Sequence, residues 1–166
     1  MFHIRPETPA DADAIRALTA AAFAGAPHSS GTEAAIIDAL RAAGALPLSL
    51  VAAEAGGIVG HAAFSPVTCS SGASGWFGLG PVSARPDRQR AGVGQALIRA
   101  GLATLRDQGA AGCVVLGDPR YYGRFSFACD PALRYGDVPQ EYFQRIVFRG
   151  PPPAGEITYH PSFDSV

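Results

Sequence analysis

Six consecutive residues, Gln89-Arg90-Ala91-Gly92-Val93-Gly94, lie between an apolar stretch ending near Val82 and a helical pattern that begins at Gln95. A glycine-bearing turn at a helix start leaves several backbone N–H groups with no acceptor inside the helix, and such groups suit a phosphate. The spacing departs from two common phosphate motifs. A Walker A loop carries Lys and then Ser or Thr after its last glycine, whereas Gln95 and Ala96 follow Gly94. A dinucleotide fingerprint needs a third glycine and an acidic residue about twenty positions on; Asp118 is too distant and precedes Pro119, where a cap or turn explains it.

Positioning such a turn takes a folded domain, and the composition supports one. A chain of 166 residues with 48% hydrophobic and 16% charged residues has enough apolar material for a single domain spanning 1–166. The formal net charge of -1 argues against broad contact with nucleic acid or an anionic membrane. Cys69, Cys113 and Cys129 are odd in number and match no zinc spacing, so no metal site is expected and a reducing, cytoplasmic setting is the natural reading. The opening Met1-Phe2-His3-Ile4-Arg5-Pro6 has no apolar run of the signal-peptide kind, and nothing later approaches a membrane span.

The element pattern begins with a strand at Phe2–Arg5, followed by a helix start at Thr8-Pro9-Ala10-Asp11 with Asp11 closing a capping box. Ile15, Leu18, Ala22 and Phe23 form its apolar stripe, with Asp11, Asp13 and Arg16 toward water. After a Gly25–Gly31 loop, Ser30 and Glu33 suggest a second box opening a helix that buries Ile36, Ile37 and Leu40 and stops at Gly44. Ser49–Glu54 and Ile58–Val67 read as a hairpin around Gly56-Gly57, and Gly75–Ala84 as a third strand. Gln95–Gln108 is an amphipathic helix with Leu97, Ile98, Leu102 and Leu105 inward, and Cys113–Leu116 is a strand covered on both sides. A short helix from Asp118-Pro119 to about Phe125 and strands at Arg145–Phe148 and Glu156–Tyr159 complete the order. The fold class expected is α/β, a mixed sheet with helices on both faces and a parallel crossover from the third strand to Cys113–Leu116.

With loop and order in place, the chain resembles the GCN5-related N-acetyltransferase (GNAT) superfamily. Its phosphate signature is Arg or Gln, two residues, Gly, one residue, then Gly or Ala, and Gln89 to Gly94 satisfies it. Within the superfamily the chain is most similar to the YhbS-like group, through Ile58–Val67, Leu79-Gly80-Pro81-Val82, Leu116–Phe127 and the terminal Tyr159-His160-Pro161-Ser162-Phe163. The resemblance covers nearly the whole chain. It implies mostly antiparallel strands with a central parallel pair that opens as a V around acetyl-CoA. Backbone groups of Val82, Ser83 and Ala84 would pair with the pantetheine arm, and Gln89, Arg90, Ala91, Gly92, Val93, Gly94 and Gln95 would wrap the pyrophosphate. Arg85, Arg88 and Arg90 would add positive potential near the nucleotide, or are simply solvent-facing loop arginines.

The resemblance also places Tyr122, five residues before Phe127, where a tyrosine protonates the departing thiolate. From residue type alone, packing of Tyr122 beside Tyr121 and Phe125 is the leading reading, and it is the positional match that favours the catalytic one. Many relatives carry an acidic residue on the strand before the loop, but Gly75–Ala84 has none. His61, on a neighbouring strand, is the candidate base or substrate contact, beside a structural role for it or a water chain. Ser126 stands where a glycine is usual.

The activity implied is transfer of an acetyl group to a primary amine, on a small molecule or a protein, by direct attack in a ternary complex. The alternatives are a catalytically weak acetyl-CoA-binding regulatory module and an O- or longer-chain acyltransferase. Proteins of this kind often pair as homodimers, although no partner surface is diagnostic in this sequence.

Overall fold

The computed structural model describes residues 1–27 and 29–164; position 28, within the expected Gly25–Gly31 loop, lies outside them. In chain order the regular elements are β1 His3–Pro6, α1 Ala12–Phe23, α2 Glu33–Ala42, β2 Leu48–Glu54, β3 Gly57–Pro66, β4 Thr68–Cys69 and β5 Trp76–Ala84. There follow α3 Val93–Asp107, β6 Gly112–Leu116, α4 Pro119–Tyr122, β7 Ala128–Cys129, β8 Leu133–Arg134, β9 Phe143–Val147 and β10 Gly155–Thr158. A seven-stranded sheet runs β1-β2-β3-β5-β6-β9-β7, and a small sheet runs β4-β10-β8. The large sheet is antiparallel except for the central β5–β6 pair. Among the described residues no helix is long and apolar enough to cross a membrane.

Alternation along β2 shows why both faces are covered. Leu48, Leu50 and Ala52 enter one core with Leu97, Ile98, Leu102 and Leu105 of α3, while Val51 packs on the other side with Ile15 of α1 and Ile37 of α2. Each large apolar side chain so buried contributes about 1.5–3 kcal/mol. The hairpin closes through a two-residue loop, with Glu54 paired to Gly57.

Several boundaries differ from the sequence expectation for local reasons. Asp11, expected to face water, is buried, because it accepts hydrogen bonds from the Thr8 amide at 2.7 Å and from Arg5 at 2.7 Å. The second capping box does not form as drawn: Ser30 bonds the Thr32 hydroxyl, Thr32 is the cap residue, and it is Ser29 that donates to Glu33 at 2.8 Å. Helix α3 starts at Val93, two residues early, because Gly92 takes the left-handed conformation (φ 83°) and its carbonyl accepts the first helical bond from Ala96 at 3.0 Å. The strands β4, β7 and β8, two residues each, have no periodicity to reveal them, and β10 pairs with β4 and β8 and not with the main sheet.

Helix α3 sits close to the sheet because Gly101 presents no side chain to the ring of Phe64, which is fully buried. On the opposite face a polar group is enclosed. His61 Nε2 lies 2.7 Å from the Ser49 hydroxyl, Ser49 in turn donates to Glu7, and Arg41 grips Glu7 at 2.8 and 3.1 Å. With the Ser49 proton directed at Glu7, the imidazole donates from Nε2 and leaves Nδ1 unprotonated; Nδ1 is buried with no partner among the described residues. Burial first, then the nearby Arg41 charge, depresses the His61 pKa from 6.5 to about 4 against the opposing pull of Glu7. Burial pushes Glu7 upward, but hydrogen bonds from Arg41 and Ser49 prevail and hold it below its ordinary value.

Two outcomes are expected. Gly101→Ala destabilises the fold by about 1–3 kcal/mol, despite alanine's better helix propensity, because its Cβ meets the Phe64 ring; chemical denaturation measures this. Between pH 6.5 and pH 4 the unfolded chain protonates His61 while the folded chain does not, so stability falls as pH is lowered through that window. Denaturation curves should show the wild type losing about 3 kcal/mol more than His61→Gln from pH 7 to pH 4, since glutamine keeps the Ser49 bond without titrating.

Candidate functional site

The central parallel pair is short. β5 and β6 match only over Trp76↔Gly112, Phe77↔Cys113 and Gly78↔Val114, although β5 continues to Ala84 and β6 to Leu116. Beyond Gly78 the strands part. On its other side β5 stays paired with β3 through Ala84, with a shift at Gly80-Pro81 where β5 carries an extra residue. The stretch from Leu79 to Ala84 therefore has one edge in the sheet and one edge without a strand, where alternate backbone N–H and C=O groups point outward.

Two cavities lie along that edge. The first, of about 360 Å³, is lined by Ala84, Gly92, Val93, Gly94, Gln95, Tyr121 and the arginines 88, 90 and 124. The N–H groups of Val93, Gly94 and Gln95 precede the first helical bond and have no acceptor within the helix. Arg90 is left-handed (φ 68°), as is Gly92, which wraps the chain around the helix start. At Gly94 an added Cβ would lie 3.4 Å from the Tyr121 hydroxyl, within the space the cavity occupies. Glycine thus serves two purposes here, conformation at 92 and clearance at 94. Arg88 is paired with Glu54 and Arg85 with Asp87, so Arg90 and the unanticipated Arg124 carry the less compensated positive charge; Arg124 stacks 4.7 Å over the Tyr121 ring. Gln89 turns its amide back to the Ala84 carbonyl at 3.3 Å.

The second cavity, about 340 Å³, is lined by Leu79–Val82 of β5, by Phe23 and Ile36 from α1 and α2, and by Leu116, Tyr122, Tyr135, Tyr159 and Phe163. Glu33 is the one charged residue among those described that line it. Leu116, 45% exposed, also borders a broader depression of about 820 Å³ beside α4. Consecutive tyrosines join the two cavities: Tyr121 faces the first and Tyr122 the second, their rings 5.0 Å apart and perpendicular. The Asp118 carboxylate caps α4 through the Arg120 amide at 2.9 Å, which sets the turn that presents them. Phe125 and Phe127 fix the Tyr122 ring, and its hydroxyl makes no hydrogen bond among the described residues. Burial, with a smaller effect of Tyr121, pushes the Tyr122 pKa up to about 12, so the phenol keeps its proton.

The structure thus brings Ala84, Gly92, Val93, Gly94 and Gln95 together at one end of the open edge and Tyr122 at the other, with Val82 between. Ser83 points the other way, under α1, where its hydroxyl is 3.4 Å from that of Thr19. His61 shares that inward face. It is fully buried and lines neither cavity, so the base or substrate-contact role expected of it finds no support in its position. Cys113 is also fully buried, as expected of a strand covered on both sides, and burial pushes its thiol well up. No local sequence signal marks Tyr121, Arg124, Glu33 and Tyr159 as lining residues, because the helices and tail that carry them meet the strands only in three dimensions.

Comparison with known proteins agrees with this geometry. A model of the acetyltransferase (GNAT) family matches residues 12–124. The uncharacterized N-acetyltransferase YhbS of Escherichia coli K12 is 38% identical over 125 residues, 75% of this chain and 72% of that protein. The crystal structure of a GNAT family acetyltransferase from Brucella melitensis in complex with acetyl-CoA superposes with a TM-score of 0.89 at 50% identity, covering 99% of both chains. That of Escherichia coli YhbS in complex with CoA gives a TM-score of 0.90 at 32% identity, covering 98% of this chain and 92% of the other. With a parting parallel pair, a glycine turn at the head of α3 and relatives of this closeness, the chain belongs to the GCN5-related N-acetyltransferase superfamily, in its YhbS-like group.

Proposed function

We propose that this protein is an acetyl-CoA-dependent N-acetyltransferase that acts on a primary amine by direct attack in a ternary complex. The observation that carries the reading is the open β5 edge running from a cationic, amide-lined cavity to one that holds a protonated phenol. Relatives at 50% and 32% identity that were crystallised with acetyl-CoA and with CoA support the choice of ligand.

The amides of Val93, Gly94 and Gln95, with Arg90 and Arg124, hold the diphosphate, and Gly94 lets it approach. The outward groups of Val82 and Ala84 give the pantetheine amides a strand edge to pair with. When bound, acetyl-CoA supplies a thioester whose carbonyl carbon accepts the amine's lone pair while the carbon–sulfur pair leaves on sulfur. Tyr122 donates its hydrogen bond and then its proton to that sulfur, an interaction that strengthens only as charge develops there. The amine gives up its ammonium proton to water at the mouth of the second cavity before attack and a second proton after it, and Tyr122 regains its proton from that water. A binding-only module is the second reading, favoured by the lack of an acidic residue on β5 and by the enclosure of His61.

Release of free CoA thiol with a panel of amines separates the two readings, since a binding module takes up acetyl-CoA without turnover. Tyr122→Phe should lower kcat by about 10²-fold and leave calorimetric affinity for acetyl-CoA unchanged; an unaltered kcat would return Tyr122 to a packing role. Gly94→Val should weaken acetyl-CoA binding at least about tenfold, with little change in thermal unfolding, because its side chain fills space outside the core.

A further inference from the structure

The two cavities differ sharply in charge. Three arginines border the first, whereas Glu33 is the only charged residue among those described that line the second. Glu33 sits in the first turn of α2, and its Oε1 accepts the Ser29 hydroxyl at 2.8 Å.

Around it the walls are rings and aliphatic groups. Tyr135 and Tyr159 have centroids 4.9 Å apart, and Tyr159 and Phe163 are 5.1 Å apart in an edge-on arrangement. Phe23, Ile36 and Val82 complete an apolar enclosure. Within it, the Tyr159 hydroxyl is buried with no hydrogen-bond partner among the described residues, and burial holds the phenol firmly protonated. A buried hydroxyl left unpaired is costly, so a ligand atom that pairs with it gains accordingly. The Tyr159 ring is held where it is by Gly78, at which an added Cβ would lie 2.6 Å from the ring carbon Cε2.

We propose that the second cavity selects a small free amine with an aryl or branched-alkyl body, drawn in as its ammonium by Glu33, with the Tyr159 hydroxyl as a further polar contact. The inference rests on the acceptor reading of this cavity given above and narrows it to a substrate class. Three features converge. A single carboxylate complements one cation, aromatic faces attract both ammonium and aryl groups, and a volume near 340 Å³ lies at the small end of the range for ligand sites. A polyamine would leave further cations against apolar walls, and an amino acid would bring its own carboxylate to Glu33.

The test uses the whole chain and two readouts. 2-Phenylethylamine, spermidine, lysine and a short peptide with a free N-terminus are compared as acceptors with acetyl-CoA, and binding of 2-phenylethylamine is measured separately by calorimetry. The expected result is highest kcat/KM for 2-phenylethylamine, with its KM and dissociation constant raised about tenfold by Glu33→Gln and several-fold by Tyr159→Phe. Both variants should keep wild-type affinity for acetyl-CoA, and both are isosteric enough to fold; circular dichroism checks this. Preference for spermidine, lysine or the peptide overturns the proposal, as does 2-phenylethylamine binding that Glu33→Gln leaves unchanged. If 2-phenylethylamine binds in a Glu33-dependent way but nothing is acetylated, the cavity's ligand class stands and the transferase reading fails. If acetyl-CoA is turned over with other amines alone, the transferase reading stands and this one fails.

Discussion

Over three residues, Trp76 to Gly78, β5 is bonded to β6, and past Gly78 its outer edge faces open space while its inner edge remains in the sheet. An unpaired strand edge inside a domain is costly unless water or a ligand satisfies its amides and carbonyls. Here it is tolerated because two cavities lie against it. The parting can persist because β5 is anchored by β3 on one side and β6 by β9 on the other, so neither strand depends on the other beyond Val114. The rest of the site follows: α3 starts at one end of the open edge, α4 turns at the other, and α2 with the C-terminal tail covers it.

Charge and aromaticity are sorted along that edge. At the head of α3, helix amides and Arg90 and Arg124 make an anion site, and Arg124 is aligned by stacking on Tyr121. One residue later Tyr122 faces a cavity that is aromatic and carries a single carboxylate among the described residues. Two adjacent residues on a short helix thus border environments of opposite sign. The close ring contacts among Tyr121, Tyr122, Phe125 and Phe127 keep that division rigid.

The polar residues of the neighbouring strands are enclosed away from that edge. His61, Ser49, Glu7 and Arg41 form a chain of hydrogen bonds beneath α1 and α2, facing away from the open edge. A neutral imidazole there donates to Ser49 while Ser49 donates to Glu7, and burial keeps the ring neutral until the pH nears about 4. The strand register decides this: His61 is opposite Ser83, and both turn toward α1.

The sequence by itself determined the longer regular elements and the phosphate turn, because both are local. The 3.6-residue stripe of Leu97, Ile98, Leu102 and Leu105, the hairpin around Gly56-Gly57 and the glycine pattern of Gln89 to Gly94 are written in neighbouring residues, as is the capped turn that carries Tyr122. Only the tertiary structure decided which side chains meet across the open edge. Glu33 reads as a helix-cap residue, Tyr159 as part of a tail strand and His61 as a base of suitable ordinary pKa; packing put the first two into the cavity and sealed the third away. Burial, and with it protonation and access, depends on contacts between segments far apart in the chain, and no local pattern records those.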